Sequence, residues 1–441
     1  ATMLRTDDPR TEVERIVEWL DRDDPAWNEF VEVGGTLWPP YRSEYELARI
    51  RNESRWFATY HPFAVSALEN RASYVVGSGH SYTVRPKPKA DINGDILEAI
   101  EREITEFREL NLWQHRQIEN QIRLDRDGEV FVRFFEVDSR LVVRYIEPEQ
   151  VSTPPGDKSL FGIITDEQDA ESVRGYWVRY DDSHMNWQRI DARDIQHRKL
   201  NVDGTLPRGL PTLFAVRANL RRVWKLLRNM TTVASIQAAV AIVRQHGAAP
   251  AGSVQQYVSR MAQVPQHPGE DSVNTYERFP PGAILDVAPG VDVRFPAEGI
   301  NVGNYVSAIQ AELRAIAARL AMPEYMLSGD ASNANYSSTL VAEGPAVKMF
   351  ERLQSQMIWW DSQVLMRALE VAERAGRLPA GVSKQVVIDA EAPTTMARDR
   401  LKEAQADQIL YTLGIVSPQT LAARHGFDFN QERELMDQAN E

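Results

Sequence analysis

The cluster best suited to chemistry is Asp181-Asp182 with His184: two carboxylates beside an imidazole, a set fit for general acid–base hydrolysis or for processing nucleic acid. A hairpin turn between strand-like runs at 173–180 and 186–190 accounts for the same residues more simply. Gly77-Ser78-Gly79 follows an apolar stretch, but no third glycine stands at dinucleotide spacing and no P-loop lysine follows. It reads as a turn between helix and strand. Ser337 and Ser338 lack a nucleophile-elbow context. The eight histidines are scattered, without a His-Glu-x-x-His pair, so neither a metal nor another cofactor is expected. The absence of cysteine excludes disulfides, thiolate zinc sites, iron–sulfur clusters and cysteine nucleophiles.

Charge placement is more informative. Arg217, Arg221, Lys225 and Arg228 stand three or four apart and share one face of a long helix. A solvated face is the plain explanation. The functional ones are neutralising acidic neighbours, or touching DNA or a capsid. Glu312 offers the opposite sign on a later helix. Between Glu324 and Ser338 the chain carries Glu324 and Asp330 but no cation, and its tip is small and amide-rich, with Ser332, Asn333, Asn335, Tyr336 and Ser337. An ordinary exposed loop has this composition too. Tyr257, Tyr276, Phe279 and Phe295 surround proline turns in a segment otherwise poor in core residues.

These groups need elements to hold them. Apolar spacing predicts helices over 11–22, 61–76 and, most clearly, 93–123, where Leu97, Ile100, Ile104 and Phe107 form one stripe. A strand is expected at 81–84. Beyond Gly128 the period becomes two, with Asp127-Gly128 as a hairpin turn signal and strands at 130–134, 140–146, 160–165 and 173–180. Residues 125–200 therefore read as a mostly antiparallel β unit packed on the earlier helices. Past Pro207–Pro211 the stretch 212–245 reads as nearly continuous helix, about 50 Å if unbroken, with Thr231-Thr232 as the expected weak point. Residues 247–299 turn proline- and glycine-rich, with short strands near 283–287 and 291–295, and form a small module inserted between two helices. Helix resumes over 302–321 and 339–376, a strand follows at 386–388, and helices are expected near 394–412, 418–424 and 430–439. Ser417 reads as an N-cap, Pro418 as the first helical residue and Gly426 as a stop.

With 441 residues, 43% hydrophobic, the chain can bury several cores, and two to four structural units are expected. No apolar run is long enough to cross a bilayer, and the first residues lack the apolar core of a signal peptide, so no membrane role is expected. A formal net charge of −13 argues against a surface that grips nucleic acid everywhere, but not against one that lets it pass.

Four stretches, in order, carry a resemblance. They are Tyr145-Ile146-Glu147-Pro148-Glu149-Gln150-Val151; Arg208-Gly209-Leu210-Pro211; Phe279-Pro280-Pro281-Gly282-Ala283-Ile284-Leu285 with Ala288-Pro289-Gly290-Val291; and Arg319 to Asp330 followed by Asn335-Tyr336-Ser337-Ser338. Together they resemble tailed-bacteriophage portal proteins, in motifs the lambda-type branch, over most of residues 60–430. One departure is that Thr339-Leu340-Val341 stands where that branch has an arginine.

The resemblance implies an α+β portal-protein fold with an α/β wing, a two-helix stem, a small β/α clip insert and a helical crown. Its parts fall at 1–211 (wing), 212–246 (first stem helix), 247–299 (clip), 300–322 (second stem helix), 323–338 (tunnel loop), 339–376 (long kinked helix) and 377–441 (crown). It also implies a ring, usually of twelve subunits, at one capsid vertex of the virion, made in the host bacterial cytoplasm. Double-stranded DNA would be packaged through it by the terminase large subunit and ejected at infection. Major capsid and scaffolding proteins and a head–tail adaptor are the further partners. In that setting Ser332, Asn333, Asn335, Tyr336 and Ser337 would face DNA. Arg217, Arg221, Lys225 and Arg228 would meet Glu312 between subunits. Tyr257, Tyr276, Phe279 and Phe295 would contact neighbouring clips, terminase or adaptor. The implied protein is not an enzyme, and with no ATP-hydrolysing motif in the chain the packaging energy comes from a partner. Two other readings stay open: an enzyme working at Asp181, Asp182 and His184, and a minor capsid or adaptor protein, a class that generally lacks the helix–insert–helix stem.

Overall fold

The computed structural model describes residues 40–88, 90, 92–180, 186–245, 283–287, 302–330, 336–395, 400–424 and 429–440. The expected helix at 11–22, the strand near 291–295 and the stop at Gly426 lie outside them. The chain divides into two units, one formed by residues 1–218 with 317–441 and the other by 219–316.

In the first unit, helix α1 (Glu44–Tyr60) starts at Ser43, whose side chain accepts from the Glu46 amide at 3.2 Å. Pro62 opens α2 (Pro62–Val75), where its missing N–H costs nothing. Strand β1 (Ser81–Pro86) follows. The helix expected over 93–123 is two helices, α3 (Gly94–Leu110) and α4 (Trp113–Asp127). Asn111 makes the break. Its buried amide donates to the Phe107 and Leu141 carbonyls, both at 3.0 Å, and accepts from the Val143 amide at 2.8 Å. These bonds tie the helix end to strand β3 (Arg140–Ile146), and Leu112 takes a left-handed turn with φ 49°. An apolar stripe does not register such a tertiary bond.

Asp127-Gly128 is likewise not a hairpin turn. Gly128, with φ 84°, closes α4 as its C-cap, and strand β2 (Glu129–Val137) begins at once. The hairpin turn sits at Asp138-Ser139, both at positive φ, as a two-residue turn between right-twisted strands requires. Strands β4 (Ile163–Thr165), β5 (Val173–Arg179), β6 (Trp187–Asp191) and β7 (Ile195–Lys199) complete the antiparallel region. It forms two three-stranded sheets, ordered β3-β2-β7 and β4-β5-β6. Phe131, Ile146, Val151, Ile163, Tyr176, Val178, Ile190 and Ile195 form one core cluster there.

Past the second unit, α7 (Glu324–Ser328) precedes α8 (Tyr336–Arg374), which carries Pro345 inside it. One face of α8 (Trp360, Val364, Leu365, Leu369, Ala372) joins Ile100, Ile104 and Phe107 of α3 and Val130, Val132, Leu141 and Val143 of the sheet in the main core. Strand β10 (Val386–Glu391) pairs antiparallel with β1, Ser81 opposite Glu391, so the start of segment 377–441 is built into this unit. Helices α9 (Arg400–Thr412), α10 (Pro418–Arg424) and α11 (Phe429–Asn440) follow. Residues 394–395, expected helical, are not, and Ser417 caps α10 through the Thr420 amide at 3.2 Å.

The continuous helix expected over 212–245, which runs from the first unit into the second, ends early. A 3-10 turn at Thr212–Val216 leads into α5 (Arg217–Ala239) and then strand β8 (Val240–Gln245), which pairs in parallel with β9 (Ala283–Val287). The β-branched residues Val240, Ile242 and Val243 favour strand there. Thr231 and Thr232 do not break α5; their hydroxyls donate to the Arg228 carbonyl one turn back, at 2.8 and 2.9 Å. Helix α6 (Val302–Arg319) brings the chain out of this unit, and Leu220, Val223, Ile309, Leu313 and Ile316 are its buried apolar residues. Among the described residues no helix is long and apolar enough to cross a membrane.

Candidate functional site

The turn that launches α5 is fixed by a buried charge cluster. Glu129, the first residue of β2, is fully buried. Arg208 donates to both its oxygens through Nε, at 2.9 and 3.0 Å, and Nη2 lies 2.7 Å from Oε1. The rest of that guanidinium reaches the carbonyls of Val151 (2.8 Å), Phe161 (3.0 Å) and Pro148 (2.7 Å). Two of the four motif stretches therefore meet at one side chain. Arg51 of α1 pairs with the same carboxylate, and His197 of β7 holds Oε2 at 2.9 Å through Nε2. The Tyr41 hydroxyl donates to the Arg208 carbonyl at 2.7 Å and accepts from the Arg208 amide at 3.1 Å.

Backbone geometry completes the joint. The Gly209 amide donates to Glu129 Oε2 at 3.1 Å, and Gly209 lies so close to the Gly128 carbonyl that a Cβ there would collide with it. Thr212 bonds Asp125 at 2.7 Å, and Asp125 pairs with Arg71 at 2.8 Å.

The electrostatics follow from burial. Burial raises the Glu129 pKa, but Arg208 and Arg51 outweigh it and hold the carboxyl well below the usual range. Burial lowers the Arg51 pKa to about 10 and pushes Tyr41 up to about 12. It also lowers His197, beyond what Glu129 restores, so the imidazole is neutral at pH 7. Sequence reasoning missed this cluster apart from the Arg208 turn. The available signal was three carboxylates, Asp125, Asp127 and Glu129, where a helix becomes a strand.

The cation-free loop has a fixed base. The Met326 carbonyl accepts from Asn70 Nδ2 at 2.6 Å and from Ser66 Oγ at 3.2 Å, tying α7 to α2. The Tyr325 hydroxyl donates to Glu343 of α8, joining the two sides of the loop. Burial and the Glu343 carboxylate raise the Tyr325 pKa, which keeps that proton in place. Gly329 ends α7 in the left-handed region, φ 70°. Tyr336 and Ser337 fall in the first turn of α8. Their side chains, and Ser332, Asn333 and Asn335 altogether, lie outside the described residues. So do Tyr257, Tyr276, Phe279 and Phe295, and Asp181, Asp182 and His184.

On the helix pair of the second unit, Glu312 is held by Arg222, at 2.8 and 3.2 Å, and by Asn219 at 2.8 Å. Arg222 is not one of the four stripe cations. Arg217 instead lies over the Phe214 ring, 4.1 Å from its centroid, while Arg221, Lys225 and Arg228 are exposed. No group of His, Asp or Glu suited to a metal ion occurs among the described residues.

No curated protein matches the chain. Solved structures similar to it include the virion of a native gene transfer agent particle, 13% identical, covering 89% of this chain and 96% of that one at a TM-score of 0.45. The neck of the native gene transfer agent particle, computed with C12 symmetry, is 12% identical over 86% of this chain and 94% of that one, TM-score 0.46. An HK97-family phage portal protein from Corynebacterium diphtheriae is 12% identical over 79% and 95%, TM-score 0.31. At such scores these likenesses carry no weight beside the family match. The model of the phage portal proteins of the lambda family matches residues 41–354, from the tyrosine that grips Arg208 through the clamped loop base and into α8. The chain belongs to the lambda family of phage portal proteins.

Proposed function

We propose that this portal protein assembles as a ring of twelve at one capsid vertex of the virion, where double-stranded DNA is packaged through it by terminase and ejected at infection. The ring would also nucleate procapsid assembly and dock the head–tail adaptor. One observation carries the conduit reading: the stretch Glu324–Ser338 has no lysine or arginine, while its base is clamped by Asn70, Ser66 and Glu343. A conduit must not hold DNA, because every cation fixed on a phosphate adds affinity and therefore drag. Small amide and hydroxyl groups make brief, sequence-blind contacts with phosphate instead. The stripe Arg217, Arg221, Lys225 and Arg228 serves contacts between subunits in this reading, with Glu312 shared between Arg222 of its own chain and a neighbour.

Deleting Asn333–Asn335 tests it. Annular particles with a central hole should still form in negative stain, while DNA packaging or retention falls. Normal genome filling by that variant removes the loop from the function, and no annular particle from the parent protein removes the ring.

A further inference from the structure

Helices α9, α10 and α11 depart from the pattern of the other helices of their unit. Among their described side chains, and those of the turn joining α9 to α10, none is buried. Ile409, Tyr411, Leu413, Ile415, Leu435 and Met436 are all at least half exposed, Ile415 at 67%. Helices of this length are marginal in water on propensity alone and depend on packing an apolar face. The exposure is not that of a fraying end. Gly414 closes α9 at φ 68°, and the Leu413, Gly414 and Ile415 amides bond back to Ile409, Tyr411 and Leu410 at 3.0, 2.9 and 3.0 Å.

Charge indicates the occupant. From Ala404 to Ala423 the only charged residue is Asp407, in a chain that is 26% charged with a net charge of −13. Copies of so acidic a chain repel one another, and identical copies meet best on a surface without charge. A ring also needs two different faces per copy, because its contacts are head-to-tail. This segment has two separate exposed apolar groups to supply them: Ile409, Leu413 and Ile415 at the end of α9, and Leu435 and Met436 on α11.

We propose that the C-terminal helices form a seam between copies of this chain, with Leu435 and Met436 of one copy covering Ile409, Leu413 and Ile415 of the next. The seam rests on the ring reading above, and the experiment separates the two. The natural lack of cysteine allows Leu413→Cys and Met436→Cys to be introduced singly and together in the full-length protein. After mild oxidation of the assembled protein, the double variant should give a ladder of linked chains on a non-reducing gel. Co-assembled single variants should give linked dimers and nothing larger. Rings that yield only unlinked or internally linked chains overturn the seam and leave the ring standing; absence of rings in the parent protein overturns both. As a second measurement, Leu413→Glu with Ile415→Glu should lower the assembled fraction on the order of tenfold or more, with thermal unfolding of the subunit unchanged because neither side chain is buried within it. Undiminished assembly of that variant also overturns the seam.

Discussion

Replacing Arg208 with methionine keeps a long side chain in the turn and removes everything that holds the turn. Glu129 would lose its bidentate partner and keep Arg51 and the neutral His197, in a site without solvent exposure. The carbonyls of Pro148, Val151 and Phe161 would each lose a donor. Breaking a buried ion pair from one side costs about 3–5 kcal/mol. Each unsatisfied carbonyl adds roughly 1 kcal/mol, offset in part where water reaches it. Arg208→Met should therefore destabilise the subunit by about 4–6 kcal/mol, and Arg208→Lys by nearly as much, because one ammonium cannot reach Glu129 and three carbonyls together. Urea denaturation of the dissociated subunit, followed by tryptophan fluorescence, measures this. The double variant Arg208→Met with Glu129→Gln isolates the pair, and its cost should fall short of the sum of the singles by about 2 kcal/mol or more. A loss under ~1 kcal/mol for Arg208→Met, or strict additivity in the cycle, would refute the view that this cluster fixes the turn.

Acidification should weaken the fold in two overlapping steps. His197 has a lowered pKa when folded, so its contribution is present above its unfolded value near ~6.5 and is lost as pH falls through its folded value. Glu129 is also lowered, so its contribution is lost as pH falls below about 4.5. Denaturation midpoints should hold steady from pH 8 to about 7 and decline from there to pH 4, and His197→Gln should flatten the upper part of the decline. Gly128→Ala forces a positive φ and drives a Cβ into the Leu210 backbone, and should cost several kcal/mol, against ~1 kcal/mol for Gly376→Ala, which has the same φ sign but open space; equal thermal shifts would contradict this. Asn111→Ala removes three buried bonds and should cost about 2–3 kcal/mol by the same urea assay. Reversing the charge of Arg221 and Lys225 should weaken ring assembly at low salt and less at high salt, since exposed pairs are screened; sedimentation showing intact assembly at every salt concentration would refute it.

Periodicity by itself determined most of the described helices and the switch to strands after Gly128, because these depend on local spacing of apolar side chains. Motif order gave the family, and composition gave the cation-free loop. Only tertiary structure decided where the long helices stop. Asn111 ends α3 because it bonds a strand thirty residues on, and Gly128 caps a helix because α4 persists through Asp127 on the strength of its packing. The pairing of β1 with β10 and the meeting of Arg51, Glu129, His197 and Arg208 join parts of the chain far apart in sequence. A buried charge looks like any other charge until the fold removes its water. Burial depends on the whole chain, so the residues that fix the turn into α5 became visible only in three dimensions.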